Sequence, residues 1–288
     1  MQAIFMIKTM RAYMSRKNRY SDRRLYFDEL VKTSEGYLSE YIGGFCDMNN
    51  LDRVLEIGCG EGGNLVPFAR MGCDVCGIDI SEKKVGHAEQ FFSEDGLAGR
   101  FICCDFLQMD LSEHVGMYDL ILVHDVIEHI EPKAKAEFMI RTGSLLKRHG
   151  IIMMAFPAWK MPFGGHQQIC GNRLCRIPFI HLLPVKVYKG YLELSGENRD
   201  TIRELLSIRR AAMSIESFEE LCKITGLSVI DRKLWLINPH YKAKFGLVPR
   251  ELPKCMSRSR WLRNRLSSSC FYILQDTTCY LHHRVVSV

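Results

Sequence analysis

The chain has 288 residues, 47% hydrophobic and 25% charged, with a formal net charge of +6. That length and balance suit a globular protein of one large domain, or one domain with a sizeable insertion, and no stretch approaches the roughly 18 continuous apolar residues of a membrane-spanning helix. The twelve cysteines are scattered and several fall in predicted strands, so they read as buried free thiols of a reducing cytoplasm, not as a disulfide framework. Met1 to Met10 is apolar but lacks the basic lead-in and small-residue cleavage site of a signal peptide. The charge is uneven. Residues 51–150 carry ten Lys/Arg against seventeen Asp/Glu, a net −7, and residues 240–288 carry nine against two, a net +7.

Residues 1–50 read as helices. Seven basic residues and one acid, Asp22, lie between Lys8 and Arg24, and Tyr26, Leu30, Tyr37, Leu38 and Tyr41 form a rough helical stripe. Val54 to Ile57 is a first strand. It runs into Gly58-Cys59-Gly60-Glu61-Gly62-Gly63, and a helical pattern follows from Asn64 to Ala69. Strand, glycine turn and helix are how an α/β sheet opens a nucleotide site: the turn lets backbone lie against a ligand, and the helix start offers free N–H groups. Gly58, Gly60 and Gly63 fit the dinucleotide spacing, and Asp79 stands twenty-one residues after Gly58, at the end of a second apolar run from Val75 to Ile80. An acid there is placed to accept hydrogen bonds from two ribose hydroxyls, which nicotinamide and sulfonium cofactors share. Glu56 separates the two, because it sits inside the strand, where a carboxylate is costly to bury unless a cation or donor meets it.

Glu56-x-Gly58-x-Gly60-x-Gly62 resembles motif I of the class I S-adenosylmethionine methyltransferases. The resemblance implies a doubly wound, mostly parallel seven-stranded α/β sheet with an antiparallel last strand, and S-adenosylmethionine as cofactor. It implies that Glu56 helps position the cationic methionine end. It places the cofactor along Glu56, Gly58, Cys59, Gly60 and Gly62, then Asp79 and Ile80, Asp105 and Phe106, and His124 and Asp125. Within that family a helical N-terminal segment often covers cofactor and substrate.

Ser81 is expected to cap the next helix, with Val85, Ala88, Phe91 and Phe92 on its buried face. Phe101 to Cys104 is a third strand, ending in Asp105-Phe106, where the family often carries an acid against the adenine amine. Tyr118 to Val123 is a fourth, near-continuously apolar, as suits burial on both faces. It ends in His124-Asp125-Val126-Ile127-Glu128-His129, similar to the post-strand motif of the quinone-type and related small-molecule methyltransferases. A helix is expected from Pro132, with Phe138, Thr142, Leu145 and Leu146 inward, Lys147 to His149 in its last turn and Gly150 closing it. Ile151 to Phe156 is a fifth strand.

Residues 158–213 are too long for a simple connection and read as a substrate lid over the carboxyl edge of the sheet. Gly164 and Gly165 are expected to let it move. His166, which follows strand five at the ligand edge, is the preferred general base, with His129 second. His166, Cys170, Cys175 and His181 match no common zinc spacing, so no metal is expected. Ser214 caps a further helix with Ile215, Phe218, Leu221 and Cys222 inward, Leu227 to Ile230 begins a sixth strand, and Phe271 to Gln275 is the last. Between them, Lys242 to Arg265 is basic and aromatic, suited to phosphate, an anionic lipid surface or RNA, or simply solvated.

The expected organisation is a helical cover over 1–50, a cofactor-binding core over 51–157, the lid over 158–213, and a completion of the sheet with its basic stretch over 214–288. The leading function is methyl transfer to a small-molecule, lipid or sugar acceptor, at oxygen. The absence of an Asn/Asp-Pro-Pro-Tyr/Phe run after strand four and of a Pro-Cys pair argues against nucleobase and glutamine amide methylation. An RNA methyltransferase, an NAD-dependent oxidoreductase and a non-catalytic binding protein of the same fold are the rivals.

Overall fold

The structure, a computed structural model, describes residues 22–276. The basic run from Lys8 therefore lies outside the described residues, apart from Arg23 and Arg24. The N-terminal segment is α1 (Arg23–Thr33), a π-turn over Ser34–Leu38 and α2 (Ser39–Gly43). Next come β1 (Arg53–Ile57), α3 (Val66–Arg70), β2 (Asp74–Asp79), α4 (Glu82–Glu94), β3 (Arg100–Cys103), β4 (Tyr118–His124), α5 (Lys135–Ser144) and β5 (Leu146–Phe156). The insertion holds α6 (Val185–Leu194) and α7 (Arg199–Ala211). The chain continues through α8 (Ile215–Ile224), β6 (Leu227–Ile237), α9 (His240–Phe245), β7 (Arg250–Glu251), α10 (Lys254–Arg258), α11 (Arg260–Leu266) and β8 (Ser269–Asp276).

The strands form one sheet in the order β3-β2-β1-β4-β5-β8-β6-β7. The first five pair in parallel, and β8 lies antiparallel between β5 and β6, as the resemblance implied. The eighth strand is the two-residue β7, which pairs with Trp235 and Ile237 at the edge. It is too short to leave an alternating pattern in the sequence. Strand order reverses between β1 and β4, so the carboxyl ends of these two strands open a crevice.

The period of two along each strand divides the core. Leu55, Ile57, Ile121, Val123, Ile152 and Met154 face Phe138 of α5 and Phe218 of α8. Val54, Leu120, Leu122, Ile151 and Met153 share the opposite face with Phe27 of α1 and with Phe91 and Phe92 of α4. At roughly 25 cal/mol per Å², these apolar side chains are the main source of fold stability. The insertion has its own small cluster, in which Cys170, Cys175, Tyr188, Leu192 and Leu205 are fully buried.

Several local expectations are corrected. The helix begun at Pro132 ends at Ser144, so Lys147, Arg148 and His149 lie in β5. Gly150 does not close a helix; a Cβ there would stand 2.8 Å from the Tyr118 carbonyl, beside the register shift between β4 and β5. Ser81 occupies the N-cap of α4 but makes no side-chain cap bond, and its N–H donates to Asp79 Oδ1 instead. Gly164 and Gly165 are buried, and added Cβ atoms would lie 2.2 Å from the Trp159 carbonyl and 2.3 Å from His181 Cβ. Both glycines are required by close approach, which is the opposite of a hinge. Ser214, by contrast, forms a reciprocal capping box with Ser217.

Candidate active site

The turn after β1 is built around glycine geometry. Gly58 has φ 76°, and a Cβ would meet Val126 Cγ2 at 2.3 Å, so no other residue fits. Gly58 and Cys59 donate their N–H groups to the Ile78 carbonyl, which ties the turn to β2. Gly60, at φ 54°, has nothing within 4 Å of where a Cβ would stand, so open space faces its backbone. Its N–H donates to Asp79 Oδ2 at 2.9 Å. Helix α1 crosses the turn closely: a Cβ on Gly63 would lie 2.7 Å from Leu30 Cβ and from the Phe27 carbonyl. Ser34 Oγ also donates to the Asn64 carbonyl at 2.8 Å.

A cavity of about 440 Å³ opens at the carboxyl ends of β1 and β4. Arg23, Tyr26, Glu29 and Leu30 of α1 form one wall, and Glu56, Gly58, Cys59, Gly60, Glu61 and Asn64 form the floor. Lys84, His124, Asp125, His166 and Lys244 complete it. Of the residues expected from sequence, it brings together Glu56, Gly58, Cys59, Gly60, His124, Asp125 and His166.

Glu56 is 1% exposed. Its Oε1 accepts from Asn64 Nδ2 at 2.7 Å, while Oε2 is buried without a partner. Burial pushes its carboxyl up to about 8, Asn64 opposing and Asp79 adding to the rise. Glu61, equally buried, pairs with Arg23, whose Nε donates at 2.7 Å. The sequence reading singled out neither Asn64, Glu61 nor Arg23. The second acid of the glycine turn and the first basic residues before the stripe were the available signals.

In the same lining, Asp125 (φ 56°) and His166 (φ 54°) both adopt the left-handed conformation. The His129 and His166 rings meet edge to face, with centroids 4.9 Å apart. His129 Nε2 is 4.0 Å from Glu128 Oε1. Glu128 is 4% exposed, and neither of its carboxylate oxygens has a hydrogen-bond partner outside its own residue. Burial first, and Asp125 second, holds its carboxyl well above the usual range. Burial lowers the His166 imidazole to about 4. His124 Nδ1 lies 3.4 Å from Asp125 Oδ2.

The remaining expected positions lie outside the cavity wall. Gly62 has φ 80°, and a Cβ there would crowd Phe101. Asp79 is nearly buried, its oxygens taking the Gly60 and Ser81 N–H groups, with Lys84 Nζ at 3.9 Å. Ile80 is 72% exposed just past β2. Asp105 is exposed and accepts from the Leu107 N–H, and the Phe106 ring packs in the core against Phe138 at 5.4 Å. His181 is a packing residue: its Nε2 lies 2.8 Å from the Trp159 carbonyl, and its ring stands edge-on to the indole. Cys170 and Cys175 come together with Glu197 and not with a histidine.

Residues 54–150 match the family model described as a methyltransferase domain. The ubiquinone biosynthesis O-methyltransferases of Caulobacter vibrioides and Agrobacterium fabrum are 37% identical to the chain over 102 and 103 residues, or 35% and 36% of it. The matched segment is 39% of each, so the chain spans about two fifths of the length of these curated relatives. Among solved structures, an S-adenosylmethionine-dependent methyltransferase from Clostridium acetobutylicum superposes with a TM-score of 0.54 at 16% identity, over 89% of this chain and 98% of that one. The magnesium protoporphyrin IX methyltransferase of Synechocystis with bound S-adenosylhomocysteine gives 0.53 at 18% identity, over 93% and 98%. At these identities the structures speak for the fold alone. Residues 54–150 are thus similar to a methyltransferase domain, and the chain shares its fold with S-adenosylmethionine-dependent methyltransferases of known structure.

Proposed function

We propose that this protein transfers a methyl group from S-adenosylmethionine to an oxygen of a small-molecule acceptor. The observation that carries the reading is the unpartnered Oε2 of Glu56, in the lining of the cavity that His166 and Asp125 also line. A buried carboxylate with one oxygen unmet fits the ammonium of a methionine moiety, and the open backbone at Gly60 fits a ligand lying flat on the turn. The residues present therefore fit the cofactor. When bound, it supplies an electrophilic methyl on a sulfonium that needs no further activation.

The protein's own task is alignment and exclusion of water. Glu56 would hold the methionine end. Asp79, its carboxylate oriented by the Gly60 and Ser81 N–H groups, keeps lone pairs for two ribose hydroxyls. Ile80, Asp105 and Phe106 would border the adenine beyond β2 and β3. Residues 158–213 would act as the substrate lid, since they bring His166 into the cavity wall. An acceptor hydroxyl facing His166 and His129 meets imidazoles, which offer a lone pair to a proton or to a cation when neutral. The basic stretch from Lys242 to Arg265 would dock the protein on an anionic lipid surface, because Lys242, Arg250, Lys254, Arg258 and Arg260 are all exposed there, beside Trp261.

Calorimetric titration of the purified chain with S-adenosylmethionine, S-adenosylhomocysteine and NAD tests the reading. Saturable binding of the two sulfur nucleotides and not of NAD is expected, followed by turnover in a screen of phenols, lipids and sugars. Binding of NAD alone would sink it. Cofactor binding without turnover of any acceptor would favour a non-catalytic protein of this fold.

A further inference from the structure

We propose that Cys170, Cys175 and Glu197 hold a zinc ion that fastens the insertion together, away from the cavity. The two thiol sulfurs and one carboxylate oxygen lie within 4.8 Å of one another. A tetrahedral zinc ion holds sulfur at about 2.3 Å and so sets two sulfurs about 3.8 Å apart, which the three ligands reach by closing up at most about 1 Å. Four residues separate the two cysteines, within the range of paired zinc ligands. The histidines near them in sequence do not join: His181 is engaged with the Trp159 carbonyl, and His166 lines the cavity. None of the three ligands lines that cavity, so the site goes beyond the methyltransferase reading and does not rest on it.

Three observations point to an ion. Both thiols are fully buried in the insertion's own cluster with Tyr188, Leu192 and Leu205. An apolar cluster that small does little to close a segment of this length, and a metal is a common staple for such units. Glu197 is already oriented: its Oε2 accepts from the Asn172 N–H at 3.1 Å, and its Oε1 accepts from the Asn198 N–H at 3.1 Å. Donors of this kind fix a metal-binding carboxylate in place. The Tyr188 hydroxyl is buried in the same cluster with no hydrogen-bond partner, and it is the group available to close the fourth position, directly or through one water. Zinc with two thiolates and a carboxylate carries a net negative charge. Arg176, whose Nε donates to the Cys170 carbonyl at 2.6 Å, and Arg209, 6.0 Å from the Tyr188 ring centroid, offset it.

A disulfide is the rival use of two neighbouring thiols. Burial first, and Glu197 second, push the Cys170 thiol up to about 12, and burial raises Cys175 as well, so neither offers a thiolate for exchange. A dication reverses that balance: it takes both cysteines as thiolates, and their two protons leave to solvent. Thiolates select Zn²⁺ over Mg²⁺ and Ca²⁺, which prefer oxygen alone. The ion joins the turn at Cys170 to the link between α6 and α7 at Glu197, where Asn172 already donates its side-chain amide to the Ser195 carbonyl. Its work is mechanical, holding the insertion's small cluster closed.

The test is anaerobic titration of the full chain, reduced and stripped with chelator, with CoCl₂, read by the sulfur-to-cobalt charge-transfer absorption, and then with ZnCl₂ as competitor. Stoichiometric cobalt uptake is expected, reversed by an equal amount of zinc. Cys170→Ser and Cys175→Ser should abolish the absorption, and Glu197→Gln should weaken binding at least about tenfold. Cys255→Ser, at an exposed thiol, should change nothing. Glu197 is only partly buried, so its variant keeps the test open where a buried serine fails to fold. The wild-type chain carries a second readout that needs no variant: zinc should raise its melting temperature and slow proteolysis within 158–213, and chelator should undo both. Absence of the charge-transfer absorption in the wild type, its survival in Cys170→Ser and Cys175→Ser, its loss in Cys255→Ser, or recovery of Cys170 and Cys175 as a disulfide in place of cation binding would overturn the site.

Discussion

Asn64 donates its side-chain amide to one oxygen of Glu56 at 2.7 Å and leaves the other oxygen of that buried carboxylate unmet. With the carboxyl raised from the usual range to about 8, the folded protein binds a proton that the unfolded chain has released. The stability this contributes is complete below pH 4.5 and is lost as pH rises toward 8. Glu56→Gln should flatten that decline. By the linkage relation the variant should gain up to roughly 4–5 kcal/mol over wild type at pH 8. Urea denaturation at pH 5 and pH 8 checks this; equal pH dependence in the two proteins would mean that Glu56 is ionised in the free protein. The same residue predicts the opposite trend for binding. Affinity for S-adenosylhomocysteine should rise from pH 6 to pH 8, because its ammonium needs the carboxylate, and the rise should vanish in Glu56→Gln.

Asp79 couples the end of β2 to the tip of the glycine turn through the Gly60 N–H. Asp79→Ala removes that tether and the proposed ribose contacts together. It should abolish measurable cofactor binding while far-UV circular dichroism and the melting transition persist, since the sheet packing does not depend on the side chain. Normal binding in both Asp79→Ala and Glu56→Ala would mean the cofactor site is misplaced.

The sheet was legible because β1, β2, β4 and β5 are buried on both faces and therefore read as apolar runs broken by glycine and proline. The cofactor end was legible because glycines fix backbone geometry locally, and Gly58, Gly60 and Gly62 all have positive φ. What the sequence hid depends on contacts between distant segments. Arg23 meets Glu61 across 38 residues, and Glu128, His129 and His166 converge from β4's end and the insertion. The end of α5 was misread because Lys147, Arg148 and His149 look like a dipole-matched last turn. Leu146 instead pairs with Tyr118, and the chain is already strand.

Arg23 and Glu61 predict a coupling between the N-terminal helix and the glycine turn. Glu61 is 1% exposed, and its ion pair is with Arg23. Arg23→Ala strands a buried carboxylate, a change that costs about 3–5 kcal/mol in comparable pairs. The melting temperature should fall markedly, and Glu61→Gln on top of Arg23→Ala should restore much of the loss. A double variant as unstable as the single one would show that Arg23 acts through packing alone.

Gly165→Ala is expected to damage the acceptor wall more than the cofactor floor. The new methyl would overlap His181, whose Nε2 is already engaged with the Trp159 carbonyl. Overpacking of this kind costs about 1–3 kcal/mol. Limited proteolysis should cut within 158–213 sooner than in wild type, while S-adenosylhomocysteine affinity changes little. Unchanged proteolysis would mean that the insertion absorbs the methyl by moving.

The basic stretch yields the last prediction, sharpened by the contacts its arginines already make. Arg263 is 14% exposed and bound to Glu216 at 2.6 Å, so it helps fasten α11 to α8 and has little charge to offer a partner. Arg260 is 76% exposed, but its Nε lies 3.6 Å from the same carboxylate. Arg265 stacks on Trp261 at 4.3 Å, and that indole is itself 62% exposed. Lys254 and Arg258 of α10 are exposed, and among the described residues neither stands in such an ion pair, so they are the residues to reverse. Each basic residue near an anionic lipid surface contributes about 1 kcal/mol. Lys254→Glu with Arg258→Glu should therefore weaken co-sedimentation with vesicles of phosphatidylglycerol and phosphatidylcholine by roughly tenfold or more. The same loss should follow from raising salt, because the Debye length contracts to about 3 Å at 1 M. Trp261→Ala should reduce binding at every salt concentration, since the indole acts at the interface through its apolar ring. No vesicle binding by the wild-type chain at low salt would leave the stretch as a solvated face, and binding to RNA in its place would move the partner reading to nucleic acid.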